Sequence, residues 1–266
     1  MGAGLIIRPM LWAIDVGNTN TVVGVWDGRW VAVWRFGTNS AETEDELAVK
    51  LKGFADLAGV PFRASGVAVA SVVPRMDHDL QRLCEKWLHA PSFFLTAGDQ
   101  VGLPVEYDPP HAVGADRIAN ALAALALIEP PLVVVDFGTA TTFDAVSRDG
   151  VYVGGAILPG PTVSMEALFT RTAKLPQIPL VAPERAIGTS TVASIQSGVM
   201  LGYAGAIDAL ASRISSELGG ARVLSTGGLG GIFVGLCDQI ERYEPNLTLD
   251  GLRIAWERSG TLRRDG

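Results

Sequence analysis

The chain repeats one local pattern at two distant places, and this repeat limits the folds that the sequence can adopt. In residues 11–28, LWAIDVGNTNTVVGVWDG, an apolar stretch ends at Asp15, a glycine and small polar residues follow, and a second apolar stretch leads to Asp-Gly. Residues 131–158, PLVVVDFGTATTFDAVSRDGVYVGGAIL, run in the same order around Asp136. Each copy predicts three strands, joined first by an Asp-x-Gly turn and then by an Asp-Gly hairpin turn.

The separation of the two copies indicates two domains rather than a short repeat. Asp15 and Asp136 are 121 positions apart, which is far longer than the period of a solenoid. The chain has 266 residues, 48% of them hydrophobic, which is enough for one large core or two modest ones. Strands alternate with helical patterns, as is typical of α/β proteins. We therefore predict two related α/β domains that face each other.

The segments around and after each copy supply the other elements. Residues 41–58 place Leu47, Leu51 and Phe54 at helical spacing behind an acidic first turn. The rest of the first half predicts a strand at 66–71, a helix at 76–89, a strand at 92–96, a Gly/Pro-rich loop at 97–115 and a helix at 116–128. The second half predicts one or two helices in 189–217, a strand at 221–225, a helix at 229–240 and, towards residue 258, a turn and a short helix.

Each Asp-x-Gly turn has residues suited to binding phosphate. Glycine lets the backbone approach an anion closely, and consecutive backbone N–H groups in a tight turn form an anion-binding nest. A carboxylate beside a phosphate repels it unless a cation lies between them, so Asp15 is explained as a ligand of Mg²⁺ through water. One such turn is explained equally well as a hairpin whose Asp caps backbone N–H groups, but the presence of two favours phosphate binding. Neither turn has the GxGxxG or GxxxxGK[ST] pattern.

Two further stretches suit phosphoryl transfer. In VGADRIANALAA, Asp116 and Arg117 begin an Ala-rich helix after a long Gly/Pro-rich loop, and long loops often build sites. Asp116 could accept a hydroxyl proton while Arg117 orients the substrate, although an acid in a first helical turn is common for structural reasons alone. The glycines of LSTGGLGG, residues 224–231, suit either contact with a nucleotide or a plain strand-to-helix turn.

Composition argues against several classes of protein. The net charge is -7, and no run of five or more Lys or Arg residues forms a nucleic-acid footprint. Cys84 and Cys237 are isolated and are predicted to be reduced core residues. Each long apolar stretch is interrupted before it reaches the roughly 20 residues of a membrane span. We expect residues 1–9 to be a loose leader rather than a signal peptide, and the protein to be cytoplasmic.

Five motifs together carry a family resemblance. DVGNTNTVVGVWDG, GADRIANALAA, VVVDFGTATTFDAV, GGAILPG and STGGLGG resemble, in order and spacing over about residues 11–258, the type III pantothenate kinases. The first and third motifs resemble the phosphate loops of the wider superfamily of acetate and sugar kinases, heat-shock chaperones and actin. The resemblance implies an α/β fold of duplicated actin-like (ribonuclease H-like) domains with a cleft between them. Residues 11–115 would form the N-terminal domain, and residues 116–258 would form a C-terminal domain with dimer-forming helices.

The resemblance also implies an activity and roles for individual residues. ATP would phosphorylate pantothenate to 4′-phosphopantothenate, the first step of coenzyme A synthesis, in a homodimer with no nucleic-acid or membrane partner. Asp116 would be the base on the primary hydroxyl, and Asp136 would hold the monovalent cation, K⁺ or NH₄⁺, that the family requires. The ATP-binding residues would be Asp15, Val16, Gly17, Asn18, Thr19, Asn20, Thr21, Val22 and Thr139. The pantothenate-binding residues would be Tyr107, Gly114, Ala115, Asp116, Arg117 and Thr191.

Two departures from the family pattern and three alternatives accompany this interpretation. The chain has GTST where the family often has GKNT or GRST, so residues 189–190 are not assigned, and the N-terminal extension to Met10 has no counterpart.

The first alternative function, a related kinase acting on a sugar or an acid, would be distinguished by a substrate screen. A non-catalytic regulator would be favoured by eroded motifs, and both DxGNT and GADR are intact. A chaperone-like ATPase would need a client-binding domain, for which the chain has no room.

Overall fold

The computed structural model describes residues 10–170 and 178–262, and the leader predicted for residues 1–9 lies outside them. The chain forms two compact units. The first contains the described residues up to Gly102, His111–Ala119 and those from Thr248 onward, and the second contains Leu103–Pro110 and Asn120–Leu247. The domain division predicted at residue 115 stays a prediction.

The first unit is built on a five-stranded mixed sheet. Its strands are β1 (Leu11–Val16), β2 (Asn20–Trp26), β3 (Trp30–Gly37), β4 (Gly66–Ser71) and β5 (Ser92–Leu95), in the order β3-β2-β1-β4-β5. The β1–β2–β3 meander is antiparallel, whereas β4 and β5 run parallel to β1. Helix α1 (Glu44–Ala58) begins with a capping box between Thr43 and Glu46, and helix α2 (Asp77–Leu83) continues into a π-helical turn, Cys84–Leu88.

Helix α3 (Ala115–Leu127) follows the loop predicted at 97–115, which contains two short 3₁₀ turns, Gly98–Val101 and Pro110–Ala112. Most side chains of α3 are buried, in keeping with its Ala-rich sequence. The part of α3 in the first unit contacts the C-terminal helix so closely that a Cβ at Gly251 would overlap the Ala119 carbonyl. The start of α3 is therefore held rigidly within that unit.

The second unit repeats the sheet of the first. Its strands are β6 (Leu132–Phe137), β7 (Ala140–Val146), β8 (Tyr152–Pro159), β9 (Arg222–Thr226) and β10 (Arg242–Tyr243), in the order β10-β9-β6-β7-β8. β6–β7–β8 is again an antiparallel meander, and β9 and β10 continue the sheet in parallel. Because β1 and β6 share one burial pattern, with Asp15 and Asp136 as the partly exposed fifth residue of each, the predicted duplication is confirmed.

Four further helices complete the described chain: α4 (Pro161–Thr170), α5 (Thr191–Glu217), α6 (Gly230–Phe233) and α7 (Leu247–Leu262). The helix predicted at 229–240 is wrong beyond Phe233, where the chain continues in turns. The backbone N–H groups of Asp238 and Gln239 donate to the Asp208 carboxylate (3.0 and 2.9 Å) instead of to helix carbonyls. The short C-terminal helix is also wrong, since α7 has 16 residues. α7 packs on the first unit, where Trp30 Nε1 donates to Asp250 Oδ1 (3.0 Å).

Both cysteines lie in the core, as predicted. Burial raises the pKa of the Cys84 thiol, and also that of the Cys237 thiol, to about 12, so both stay protonated at neutral pH. Among the helices within residues 10–170 and 178–262, none combines the length and the apolar character that a bilayer crossing requires.

Candidate functional site

The first Asp-x-Gly turn joins β1 to β2 in the first unit. The backbone N of Gly17 donates to the carbonyl O of Asn20 (3.0 Å), which closes the turn. The side chains of Asn18 and Thr19 are exposed at its tip, and Asp15 is partly exposed at its base. The turn therefore presents an amide, a hydroxyl and a carboxylate to solvent within a few residues.

Thr38, the first residue after β3, holds this turn closed. Its backbone N donates to the carbonyl O of Thr19 (2.9 Å), and its hydroxyl donates to the carbonyl O of Gly17 (2.7 Å). The same hydroxyl oxygen lies 2.9 Å from Oγ1 of Thr21, whose side chain is buried. The conformation of the turn thus depends on a hydroxyl pair, one member of which lies outside the motif.

The second Asp-x-Gly turn joins β6 to β7 and is one residue shorter than the first. Gly138 N donates to the carbonyl O of Ala140 (3.1 Å), and Phe137 lies opposite Thr141 as Val16 lies opposite Thr21. Thr139 is exposed at the tip. The sequence pattern aligned the two Asp-x-Gly motifs correctly but did not show this change in turn length.

Asp136 is surrounded by residues from separate elements of the second unit. The side chain of Asn120 is buried, and its Nδ2 donates to Asp136 Oδ2 (3.0 Å). Gly227 lies against the other carboxylate oxygen with φ 87°, and a Cβ there would overlap Asp136 Oδ1. Tyr243 in turn donates its hydroxyl to the carbonyl O of Gly227 (3.1 Å). Gly227 of the TGG sequence therefore packs directly against the Asp136 carboxylate.

Asp116 is the second residue of α3, in the first unit. Its Oδ1 accepts the backbone N–H of Arg117 (2.8 Å), and a Cβ on Gly114 would lie 2.5 Å from the same oxygen. Burial raises the pKa of the Asp116 carboxyl above its ordinary value of 3.8, and the N–H and the guanidinium of Arg117 offset only part of this shift. A partly desolvated carboxylate held at a helix start is a competent proton acceptor.

Tyr107 and Thr191 lie in the second unit. Residues 104–107 lie alongside the start of β8 in space. Tyr152 N donates to Pro104 O (2.9 Å), and Glu106 N donates to Tyr152 O (2.8 Å). The Tyr107 ring packs edge-on against Tyr152, with 6.4 Å between centroids. Thr191 is the first residue of α5, after the N-cap Ser190, and borders an open surface groove of about 690 Å³.

Within residues 10–170 and 178–262, no three His, Cys, Asp or Glu side chains are grouped closely enough to hold a metal ion by themselves. The candidate residues instead form two sets. Asp15 to Val22 and Gly114 to Arg117 belong to the first unit, and Tyr107, Asp136, Thr139 and Thr191 belong to the second.

Comparison with known proteins identifies the family. A family model described as type III pantothenate kinase matches residues 11–213. The chain belongs to the type III pantothenate kinase family. A type III pantothenate kinase from Koribacter versatilis is 44% identical, with 96% of this chain and 99% of that protein covered. Another, from Desulfatibacillum aliphaticivorans, is 46% identical, with 94% and 98% covered. As a member of a kinase family, the chain is a phosphotransferase that uses ATP.

Solved structures support the fold of this family member. A protein described as a Baf family transcriptional activator, from Campylobacter jejuni, superposes with a TM-score of 0.62 at 19% identity, over 94% of this chain and 99% of that one. The activator of 2-hydroxyisocaproyl-CoA dehydratase from Clostridium difficile gives a TM-score of 0.51 at 10% identity, over 97% and 98%. At such identities the likeness concerns fold alone, and it confirms the predicted actin-like α/β class.

Several residues around the candidate site of the pantothenate kinase were not found from the sequence. Thr38 and Tyr203 lie outside every recognised motif, and Gly160, the last residue of GGAILPG, had no assigned role. Only the folded chain brings each of them to a turn. Asn120 had a detectable signal, because it is a lone amide in the apolar stretch IANALAALAL. A buried amide in such a helix needs a polar partner, which here is Asp136.

Thr38→Val should weaken ATP binding without unfolding the protein. The substitution keeps the shape of the side chain but removes the hydroxyl that holds the Gly17 carbonyl, so we expect KM for ATP to rise about tenfold. Thr38→Ser should restore most of the affinity. Steady-state kinetics with each substrate varied in turn would measure both changes.

The control for this prediction is Thr43→Ala. It removes the N-cap of α1 and should lower the melting temperature without changing KM for ATP. If Thr38→Val changed only the melting temperature, as Thr43→Ala does, Thr38 would have no specific role at the turn.

Proposed function

We propose that the chain phosphorylates the primary hydroxyl of pantothenate with ATP, yielding 4′-phosphopantothenate for coenzyme A synthesis, and that Asp116 is the general base. The environment of Asp116 carries this proposal. Its carboxylate is partly desolvated, oriented by the backbone N–H of Arg117, and given room by Gly114. No other carboxylate of the GADR segment competes for the role, because Asp116 is its only acid.

The chemistry of phosphoryl transfer fits such a residue. The transition state needs positioning and charge neutralisation more than covalent help from the protein. A raised pKa makes the Asp116 carboxylate a stronger base toward the hydroxyl proton. Arg117, which is buried, would orient pantothenate and stabilise negative charge near it.

We assign ATP to the two Asp-x-Gly turns, with residues Asp15 to Val22 in the first and Thr139 in the second. Both turns expose short polar side chains. Each turn also accepts hydrogen bonds from the residue that follows the third strand of its meander, so its backbone keeps one conformation. Backbone N–H groups in such turns attract phosphate oxygens. Asp15 would hold Mg²⁺ through water, and the ion supplies charge neutralisation on the phosphates.

Asp136 is the proposed ligand of K⁺ or NH₄⁺. A monovalent cation favours oxygen ligands, and the Asp136 carboxylate supplies them beside Gly227. Asn120 fixes the orientation of the carboxylate by donating to Oδ2. The cation would neutralise charge near the second turn, where Thr139 contacts ATP.

Pantothenate is assigned to Tyr107, Gly114, Ala115, Asp116, Arg117 and Thr191. Pantothenate carries a carboxylate, and the N-terminus of the 27-residue helix α5, where Thr191 lies, favours negative charge. The ring of Tyr107 packs on that of Tyr152, so it suits one wall of a small-molecule pocket.

We also propose that the protein is a cytoplasmic homodimer with no nucleic-acid or membrane partner. Apolar side chains of β8, α4 and α5 are exposed in the single chain, including Ile157 at 63% and Val192 at 41%. Exposed apolar residues on neighbouring elements are typical of a subunit interface. The net charge of -7 disfavours nucleic acid.

A coupled ADP-release assay with pantothenate, with and without K⁺, tests the proposal. We expect turnover that depends on pantothenate and that falls about tenfold or more when Na⁺ replaces K⁺ or NH₄⁺, because one stabilising charge is lost. Asp136→Asn should be slow in every buffer and insensitive to K⁺. Asp149→Asn, on the exposed β7–β8 hairpin, is the matched control and should keep the K⁺ response. Equal rates in Na⁺ and K⁺ would contradict the cation assignment.

A further inference from the structure

The two Asp-x-Gly turns are braced in different ways. In the first unit, the residue after the third strand is Thr38, which donates both its backbone N–H and its hydroxyl to the turn. In the second unit the equivalent residue is Gly160, whose backbone N donates to the carbonyl O of Thr139 (2.9 Å). Gly160 has no hydroxyl to offer, so the second meander by itself lacks the side-chain brace of the first.

Tyr203, on α5, supplies a hydroxyl at the second turn. Its oxygen lies 2.7 Å from Oγ1 of Thr141 and 2.9 Å from the carbonyl O of Pro159. A phenol has one proton and the Pro159 carbonyl can only accept, so both contacts are satisfied together when Tyr203 donates to Pro159 and Thr141 donates to Tyr203. Thr141 is the register equivalent of Thr21, and both side chains are buried. Each turn therefore has a buried threonine held by a second hydroxyl.

The ring of Tyr203 packs against Phe233, which in turn packs against Phe137 at the start of the second turn. It lies 5.3 Å from the ring of Phe233, and Phe233 stacks on Phe137 with 4.9 Å between centroids and an interplanar angle of 1°. Phe137 directly follows Asp136 in β6. Burial also raises the pKa of Tyr203, so its hydroxyl remains a neutral donor at physiological pH.

We propose that Tyr203 is a positioning residue for nucleotide binding, whose hydroxyl fixes Thr141 and Pro159 and thereby the second Asp-x-Gly turn. This inference rests on the proposed function, in which Thr139 of that turn contacts ATP. Pro159 ends β8 and Thr141 lies near the start of β7, so one hydroxyl ties together the two strand ends that flank Thr139. The prediction is specific: loss of the hydroxyl impairs ATP binding more than pantothenate binding.

The test is Tyr203→Phe, which removes the hydroxyl and keeps the ring on Phe233. We expect KM for ATP, and Kd for a fluorescent ATP analogue, to rise about tenfold, because Thr141 and Pro159 lose their partner. KM for pantothenate should stay within about twofold of wild type. Thr141→Val should have a similar effect, and Tyr203→Phe combined with Thr141→Val should be little worse than either alone, since both remove one linkage.

Ser215→Ala is the matched control on the same helix. Ser215 accepts the backbone N–H of Ala221 and donates to its carbonyl, so its loss should lower the melting temperature without changing nucleotide affinity. If Tyr203→Phe bound the analogue as wild type does, or changed only the melting temperature, the inference would be overturned. A wild-type protein that binds the analogue but does not phosphorylate pantothenate would contradict the proposed function and leave the binding test of Tyr203 decisive.

Discussion

Replacing Asp116 with asparagine is expected to reduce turnover by about three orders of magnitude, because a general base contributes an effect of this size and asparagine cannot accept the proton. The side chain keeps its shape, and its carbonyl oxygen can still accept the N–H of Arg117. KM for ATP should change little, since the two turns are untouched. Initial rates of ADP release at saturating ATP and pantothenate would measure the loss.

The same substitution should not destabilise the fold at neutral pH. Because burial raises the pKa of Asp116 in the folded state, the folded protein binds this proton more tightly than the unfolded chain does. Stability therefore declines as pH rises from the ordinary value of 3.8 through the raised value, and asparagine removes that decline. Thermal melts from pH 4 to pH 7 should show that Asp116→Asn is at least as stable as wild type at the upper end.

Catalysis should have the opposite pH dependence. Protonation of Asp116 abolishes the base, so kcat/KM should fall on the acid side, with a midpoint above 3.8 because the pKa is raised. Asp27→Asn, in the β2–β3 hairpin of the same unit, is the control and should keep both the rate and the acid limb. Near-wild-type turnover of Asp116→Asn at saturating substrates would show that another group is the base.

The sequence predicted the two meanders well because each strand carries a continuous apolar or alternating pattern and each turn carries glycine. Those signals are local, and β1, β4, β6 and their neighbours form where the pattern placed them. Asp15 and Asp136 were found for the same reason, since an acid at the end of a buried strand is conspicuous. The turn length was missed because it depends on the register between strands rather than on the motif.

The residues that brace the candidate site could not be predicted because their partners are distant in the chain. Tyr203 and Thr141 are 62 positions apart, and Thr38 and Gly17 are 21 apart, so no local spacing relates them. Similarly, the helix predicted after TGG does not reach residue 240, where the N–H groups of Asp238 and Gln239 donate to Asp208, far back on α5. Tertiary hydrogen bonds override local helix preference at such places.

Gly160→Ala should weaken nucleotide binding about a hundredfold, the second largest effect that we expect. A Cβ at this position would lie 2.5 Å from the carbonyl oxygens of both Gly138 and Thr139. These are backbone atoms, so no side chain can rotate away and the second turn itself must shift. Overpacking of this kind costs about 1–3 kcal/mol, and here the displaced segment is the one that carries Thr139.

Gly53→Ala is the matched control for this substitution. Gly53 lies in the middle of α1 with nothing within 4 Å of an added Cβ, so alanine there should stabilise the helix and leave KM for ATP unchanged. Binding of a fluorescent ATP analogue, with the melting temperature measured alongside, separates loss of affinity from loss of fold. A folded Gly160→Ala protein with wild-type nucleotide affinity would mean that the second turn does not contact ATP, and Thr139 would then have to be removed from the site.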